Sequence, residues 1–136
     1  MNTILHLGLG SFHRAHQAVY VHQLRQLGDL GWRIAGGNLR PDMPDTIAAL
    51  QAQGGAYTLE TVTPQGEKSY TRITSIQHVM AYQDDLAPLV AVGADPATRI
   101  ISFTVTEAGY YLDAQNRLDW ASFPDLRADL DALKAG

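Results

Sequence analysis

The chain has 136 residues, 46% of them hydrophobic, which is enough for one compact domain with a core. Its formal net charge is −4, and its ten Lys and Arg residues are scattered rather than gathered into a basic stripe, so we expect no nucleic-acid partner. The absence of cysteine excludes disulfide bonds and thiolate sites. With neither a signal-peptide pattern nor an apolar run of about 20 residues, the sequence predicts a cytoplasmic protein with no membrane partner.

The first part of the chain alternates between apolar runs and segments with helical spacing. The pattern predicts a buried strand at residues 3–7, a glycine turn at 8–10 and a helix at 15–27. A second strand at residues 32–36 and a short helix at 42–54 follow. This order is that of a βαβ unit followed by a helix.

The second part begins with a hairpin that interrupts this alternation. Two antiparallel strands, at residues 57–63 and 68–73, are predicted around the turn Pro64-Gln65-Gly66. They are followed by a strand at residues 75–81, a helix at 85–92, a strand at 99–105 and a helical tail at 124–135. We therefore predict an α/β fold of the Rossmann type, with a mostly parallel sheet, an inserted antiparallel hairpin and an incomplete second half. Residues 1–136 are interpreted as the first part of one dinucleotide-binding domain.

A glycine turn between a strand and a helix suits the binding of a pyrophosphate. Gly8 and Gly10 would let the backbone approach the phosphates, and the start of the following helix offers free N–H groups. The third glycine of the usual G-x-G-x-x-G fingerprint is replaced by His13. The pattern taken alone also describes an ordinary strand-to-helix turn.

The loop after the second strand holds the candidates for the adenosine ribose. The strand ends at Asn38, and the first carboxylate beyond it is Asp42, which could accept from the ribose hydroxyls. Arg40 could instead hold a 2′-phosphate. These residues alone leave NAD and NADP both open.

Polar residues close to the glycine turn have two possible roles. Arg14 could donate to a pyrophosphate oxygen, while His13 and His16 could brace the turn. The two histidines could share a metal ion by their spacing, but the sequence offers no third ligand, so we predict no metal site. Polar residues also follow the last apolar strand, where Thr104, Thr106 and Glu107 could face a nicotinamide ring or a substrate, or be solvated.

Two motifs resemble one enzyme family. GLGSFHRAHQ, from Gly8 to Gln17, is similar to the opening motif of the polyol-specific long-chain dehydrogenases, whose members carry Phe-His-Arg where the third glycine would stand. TVTEAGY, from Thr104 to Tyr110, resembles that family's T-x-T-E-x-G-Y, and the segment from Trp32 to Pro41 resembles its second strand and loop. Within the family, the arabinitol dehydrogenase branch is the most similar.

The resemblance implies hydride transfer between a secondary alcohol of a sugar alcohol and a nicotinamide, with NAD preferred to NADP. The most similar branch implies oxidation of D-arabinitol to D-xylulose. The alternatives are mannitol 2-dehydrogenase or fructuronate reductase activity, or a non-catalytic nucleotide-binding module. The Asp42-Met43 pair replaces the acidic pair of some members. The cofactor-binding residues that we predict are Gly8, Gly10, Ser11, Phe12, Arg14, Asn38, Arg40, Asp42, Thr104, Thr106 and Glu107.

The resemblance also limits what this chain can do alone. In the family, the general-base lysine, its asparagine partners and a histidine lie in a helical domain far downstream, and no such segment occurs in these residues. We therefore assign no catalytic residue and expect a truncated, inactive chain whose apolar strand near Ile100–Val105 promotes self-association.

Overall fold

The computed structural model describes residues 1–136, except for the side chains of Glu107 and Ala108. The chain divides into two compact units, Met1–Thr104 and Val105–Gly136, and each is described by itself. The assignment of all 136 residues to one domain stays a prediction.

A parallel sheet forms the centre of the first unit. Its four strands lie in the order β5, β2, β1 and β6, and each pairs in parallel with its neighbour. The strands are β1 (Asn2–Leu7), β2 (Trp32–Gly37), β5 (Ile76–Met80) and β6 (Thr98–Phe103). Because β1 and β2 are adjacent and parallel, the loops that follow them meet at one edge of the sheet, the carboxyl edge. The predicted α/β fold with a mostly parallel sheet is confirmed.

Helices connect these strands. They are α1 (Ser11–Ala15), α2 (Gln17–Gln26), α3 (Pro44–Ala52) and α4 (Ala87–Ala94). The segment after the glycine turn contains two helices, because the backbone departs from helical geometry at His16, with φ −126° and ψ −85°. The helix predicted over residues 15–27 therefore corresponds to α2, whereas Ala15 is the last residue of the short helix α1.

The predicted hairpin forms a separate two-stranded antiparallel sheet. Strands β3 (Tyr57–Val62) and β4 (Lys68–Ile73) pair in register from Tyr57 opposite Ile73 to Val62 opposite Lys68. Ile73 is fully buried and belongs to the hydrophobic core of the first unit, so the hairpin is attached at its base.

The hydrophobic core lies on both faces of the parallel sheet. Successive side chains of a strand point to opposite faces. Ile4 packs in one cluster with residues of α2 and α3, whereas Leu5 packs in another with Leu89 of α4. Each fully buried aliphatic side chain contributes about 1.5–3 kcal/mol to folding.

Some predicted boundaries are wrong by a few residues. The last strand ends at Phe103, which pairs with Leu7, and not at Val105. Since β1 has no strand residue beyond Leu7, residues after Phe103 have no partner in β1 to extend the ladder.

The second unit contains a 3₁₀ turn (Glu107–Tyr110), an antiparallel bridge between Leu112 and Leu118, and helix α5 (Pro124–Ala135). Across the described residues of both units, every helix is too short or too polar to cross a bilayer.

Candidate functional site

The glycine turn follows β1 at the carboxyl edge of the sheet. The Gly8 N–H donates to the Gly37 carbonyl oxygen at 2.8 Å and so extends the β1–β2 ladder by one step. Gly8 has φ +103°, a conformation that favours glycine. The side chain of Leu9 is fully buried in the hydrophobic core and so anchors the turn.

Gly10 differs from Gly8 because nothing within the protein requires a glycine there. Its φ of −67° and ψ of 169° are open to any residue, and a Cβ atom added at Gly10 would meet no atom within 4 Å. Open space therefore lies directly beside the backbone at this position. This is the feature that a turn needs if a phosphate group is to approach the main chain.

The loop after β2 lies beside the glycine turn. Asn38 is 3% exposed, and its side-chain oxygen accepts a hydrogen bond from the Leu9 N–H at 2.9 Å. The Asn38 amide group donates to the Asp42 side chain at 2.8 Å. The structure thus joins the two segments from which the sequence predicts phosphate and ribose contacts.

Arg14 braces the glycine turn. Its Nε donates to the Leu9 carbonyl oxygen at 3.1 Å, and its guanidinium carbon lies 5.9 Å from the centroid of the Tyr57 ring. The Tyr57 hydroxyl donates to the Arg14 carbonyl oxygen. Burial raises the pKa of Tyr57 to about 12, so the hydroxyl keeps its proton and remains a donor. Among the described residues, no hydrogen bond involves the terminal nitrogens of Arg14.

A cleft of about 380 Å³ opens beside α1 at the ends of β1 and β6. The predicted residues Phe12 and Thr104 line it, and so do Gln17 and Ser102. Ser102 lies 2.9 Å from His6 Nδ1, which connects the two strands at the base of the cleft.

His13 lies at the back of this cleft and is 2% exposed. Its ring stacks on that of His6 at a centroid distance of 3.7 Å, and neither of its nitrogens has a partner among the described residues. Burial, with a smaller effect from His6, lowers the pKa of His13 to about 3, and the nearby Gln17 amide opposes this shift without forming a hydrogen bond to the ring. Burial also lowers the pKa of His6. A neutral imidazole with unsatisfied nitrogens leaves a place for a polar partner.

The structure brings most of the predicted residues to the carboxyl edge. They are Gly8, Gly10, Ser11, Phe12, Arg14, Asn38, Arg40, Asp42 and Thr104, of which Ser11, Phe12, Arg40, Asp42 and Thr104 are exposed. Thr106 is exposed in the second unit, and the Glu107 side chain lies outside the described residues. The sequence reasoning missed His6, Gln17 and Ser102. The available signal for two of them was a polar residue inside an apolar strand run, as in Ile4-Leu5-His6-Leu7 and Ile101-Ser102-Phe103.

The residues around the turn offer no metal site among the described side chains, where three His, Asp or Glu groups nowhere converge. His16 Nδ1 instead lies 2.8 Å from the Phe12 carbonyl oxygen. The open backbone at Gly10 fits a polar organic ligand such as a dinucleotide.

A comparison with protein families assigns the class of this fold and site. The family described as mannitol dehydrogenase Rossmann domain matches residues 2–134, and the chain belongs to it. The resemblance predicted from the two motifs is thereby confirmed.

Individual relatives narrow the similarity. The chain is 58% identical to D-arabinitol 4-dehydrogenase of Klebsiella pneumoniae, with 94% of this chain and 28% of that protein covered. It is 59% identical to D-arabinitol 4-dehydrogenase of Ralstonia nicotianae, with 97% of this chain and 29% of that protein covered. The ternary complex of Pseudomonas fluorescens mannitol 2-dehydrogenase with NAD and D-mannitol superposes with a TM-score of 0.77 at 34% identity, over 96% of this chain and 27% of that one. The chain therefore spans under a third of the length of the curated relatives it matches.

Proposed function

We propose that this chain binds NAD, with the pyrophosphate beside the Gly8–Gly10 turn and the adenosine ribose beside Asp42. The observation that carries the proposal is Gly10, where neither backbone conformation nor packing accounts for glycine and where the space beside the main chain is open. A ligand that approaches the backbone closely accounts for both facts. The terminal nitrogens of Arg14 lie next to this turn and can donate to a phosphate oxygen.

Asp42 favours NAD over NADP. Its carboxylate can accept from the ribose hydroxyls, and its negative charge repels a 2′-phosphate. Arg40 is exposed in the same loop and could attract that phosphate, which is the argument for NADP. Asp42 is held in place by Asn38, whereas no hydrogen bond among the described side chains holds Arg40. This difference supports NAD.

The reaction to which the chain contributes is the oxidation of a sugar alcohol, for which we favour D-arabinitol because two D-arabinitol 4-dehydrogenases are 58% and 59% identical to it. Bound NAD would supply the hydride acceptor for this oxidation, in which D-arabinitol and NAD⁺ would give D-xylulose, NADH and a proton. D-Mannitol is the second candidate, because it is the substrate in the superposed complex. The contribution of this chain to the reaction is to hold the nucleotide.

Calorimetric titration of the chain with NAD and with NADP tests the nucleotide site. We expect saturable binding of NAD, weaker binding of NADP, and at least a tenfold loss of NAD affinity in Gly10→Val, because the added side chain occupies the space beside the backbone. Gly93→Ala in α4 is the matched control, since a Cβ added there makes an ordinary van der Waals contact with Leu5 Cδ2 at 3.6 Å. Unchanged NAD affinity in Gly10→Val would reject the proposed pyrophosphate position.

The substrate is tested separately. The protein that carries this sequence is assayed for NAD reduction with D-arabinitol and with D-mannitol at equal concentrations. We expect a higher kcat/KM for D-arabinitol, and the reverse order would assign the protein to the mannitol branch. NAD binding without turnover of either substrate would favour the non-catalytic module.

Self-association is a further expectation of the proposed assignment. Within the described part of the chain, strand β6 pairs with β1 alone, and its Ile101 and Phe103 are 57% and 65% exposed. An unpaired, apolar edge favours pairing with a second copy of the chain. Sedimentation velocity at increasing concentration should show dimers that Ile101→Lys abolishes, and a monomer at every concentration would contradict this.

The cytoplasmic location stays a prediction from the sequence.

A further inference from the structure

Asn38 occupies the position directly after β2, where a dinucleotide-binding fold ordinarily places the carboxylate that meets the ribose. Its side chain does not face the solvent, because the residue is 3% exposed. It accepts from the Leu9 N–H at 2.9 Å and donates to Asp42 twice, at 3.0 Å to the carbonyl oxygen and at 2.8 Å to Oδ1. The amide group therefore lies between the glycine turn and the carboxylate loop.

These three partners fix the orientation of the Asn38 amide. Leu9 offers a donor and Asp42 offers two acceptors, so the side-chain oxygen must face Leu9 and the nitrogen must face Asp42. Both contacts of the nitrogen go to the same residue. A side chain committed in this way has little capacity left for a ligand, which argues against a direct cofactor contact by Asn38.

Asp42 depends on this contact for its position. The residue is exposed in the loop between β2 and α3, and the next residue, Met43, has φ +49°. Asn38 occupies Oδ1 of Asp42 and leaves Oδ2 to accept from a ligand. A carboxylate that is already oriented loses less conformational freedom on binding than a mobile one.

We propose that Asn38 is a positioning residue that fixes the Asp42 carboxylate relative to the Gly8–Gly10 turn and thereby sets the preference for a ribose 2′-hydroxyl. This inference rests on the proposed binding of NAD. The position that is ordinarily acidic holds the amide of Asn38, and the carboxylate that would meet the ribose is that of Asp42, four residues later. Asn38 acts through Asp42 and not by touching the nucleotide.

The test compares NAD with the analogue that lacks the 2′-hydroxyl of the adenosine ribose. Calorimetric titrations are made with the unaltered chain, Asn38→Ala, Asp42→Ala and the double variant. The unaltered chain should prefer NAD by about tenfold or more, because a hydrogen bond to a charged group is lost in the analogue. Asn38→Ala and Asp42→Ala should each reduce this preference to near unity, and the double variant should reduce it no further.

A purely structural role gives a different result. If Asn38→Ala weakens both ligands equally and the preference persists, the inference is wrong. If the unaltered chain binds both ligands with the same affinity, the role of Asp42 fails while the phosphate site stands. If the unaltered chain binds neither ligand, the proposed function itself fails, and the inference falls with it.

Two further variants guard against misfolding and non-specific effects. Asn38→Asp has the same shape, keeps an acceptor for the Leu9 N–H and loses both donors to Asp42, so it should lose the preference while the Leu9 amide stays protected from hydrogen exchange. Retention of the preference in Asn38→Asp, followed by its loss in Asn38→Asp/Asp42→Ala, would overturn the inference even if Asn38→Ala does not fold, because Asp42 would then act without the Asn38 amide. Asn2→Ala, at the opposite end of β1, is the matched control and should leave both affinities unchanged.

Discussion

Two pairs of glycines lie at the carboxyl edge of the sheet, and the space around the two pairs differs. Gly36 and Gly37 end β2, and a Cβ atom at these positions would lie 2.5 Å from Leu9 Cδ2 and 2.8 Å from the Met80 carbonyl oxygen, respectively. Gly8 and Gly10 flank Leu9 in the turn after β1, and a Cβ atom at either would meet nothing within 4 Å.

The difference separates glycines that the protein itself requires from one that it does not. The β2 pair gives neighbouring chains room to pack, and Gly8 supplies a positive φ. Gly10 alone has no internal explanation. A sequence shows both pairs as the same residue type, so only the structure reveals which glycine has open space beside it and no role in packing.

The largest expected effect is the pH dependence of stability that comes from the buried residue His13. The pKa of His13 is about 3 in the folded chain and 6.5 when unperturbed. Because the unfolded chain takes up this proton at a higher pH than the folded one, the free energy of unfolding should fall as the pH drops from about 6.5 towards 3. At about 1.4 kcal/mol per factor of ten in proton affinity, the full loss from His13 approaches roughly 4–5 kcal/mol.

Urea denaturation between pH 7.5 and pH 4 measures this dependence. His13→Leu should reduce it to the smaller part that the lowered pKa of His6 contributes, whereas His16→Asn, which replaces an exposed histidine, should keep most of it. Equal pH dependence in the unaltered chain and in His13→Leu would show that His13 is not the group responsible.

The second effect compares the same substitution in the two pairs. Gly37→Ala forces the Met80 backbone away and should lower the free energy of unfolding by about 1–3 kcal/mol. Gly10→Ala meets no atom and should change it by no more than about 0.5 kcal/mol. Urea midpoints of the two variants give the comparison. Equal losses would mean that Gly10 has a packing role after all.

The smallest effect concerns the brace that reaches the turn from the hairpin. Tyr57→Phe removes the hydroxyl that donates to the Arg14 carbonyl oxygen and should cost about 1 kcal/mol of stability. The exposed Tyr20 is the matched control, and Tyr20→Phe should be neutral. Thermal or urea unfolding of both variants measures this difference in stability. An unchanged stability in Tyr57→Phe would show that the hairpin does not stabilise the glycine turn through this hydrogen bond.

Local patterns predicted the elements but not the contacts between distant residues. The apolar run before Gly8 and the hairpin around residues 64–66 are visible in short windows, and both were correct. The break at His16 involves neither proline nor glycine at that position, so no local signal marked it. Val105 between two threonines has strand-like alternation, yet β6 stops where its pairing with β1 stops.

The same limit applies to the candidate site. The glycines, Arg14 and Asp42 were predicted from their positions in local patterns, and their contacts with a cofactor stay predictions. Asn38 was predicted as a direct contact, and its link to Leu9 spans 29 positions of the sequence. His6 and Ser102 are 96 positions apart and meet only because β1 and β6 pair.

The hairpin also has a practical consequence for engineering the protein. Its tip is closed by a hydrogen bond from the Thr63 N–H to the Glu67 carbonyl oxygen at 2.9 Å, and residues 63–67 are exposed. The antiparallel pair contributes no strand to the parallel sheet. Exposed loop tips of this kind tolerate insertions. A fluorescent label or an epitope inserted between Gln65 and Gly66 should therefore report on the protein without altering the sheet or the glycine turn.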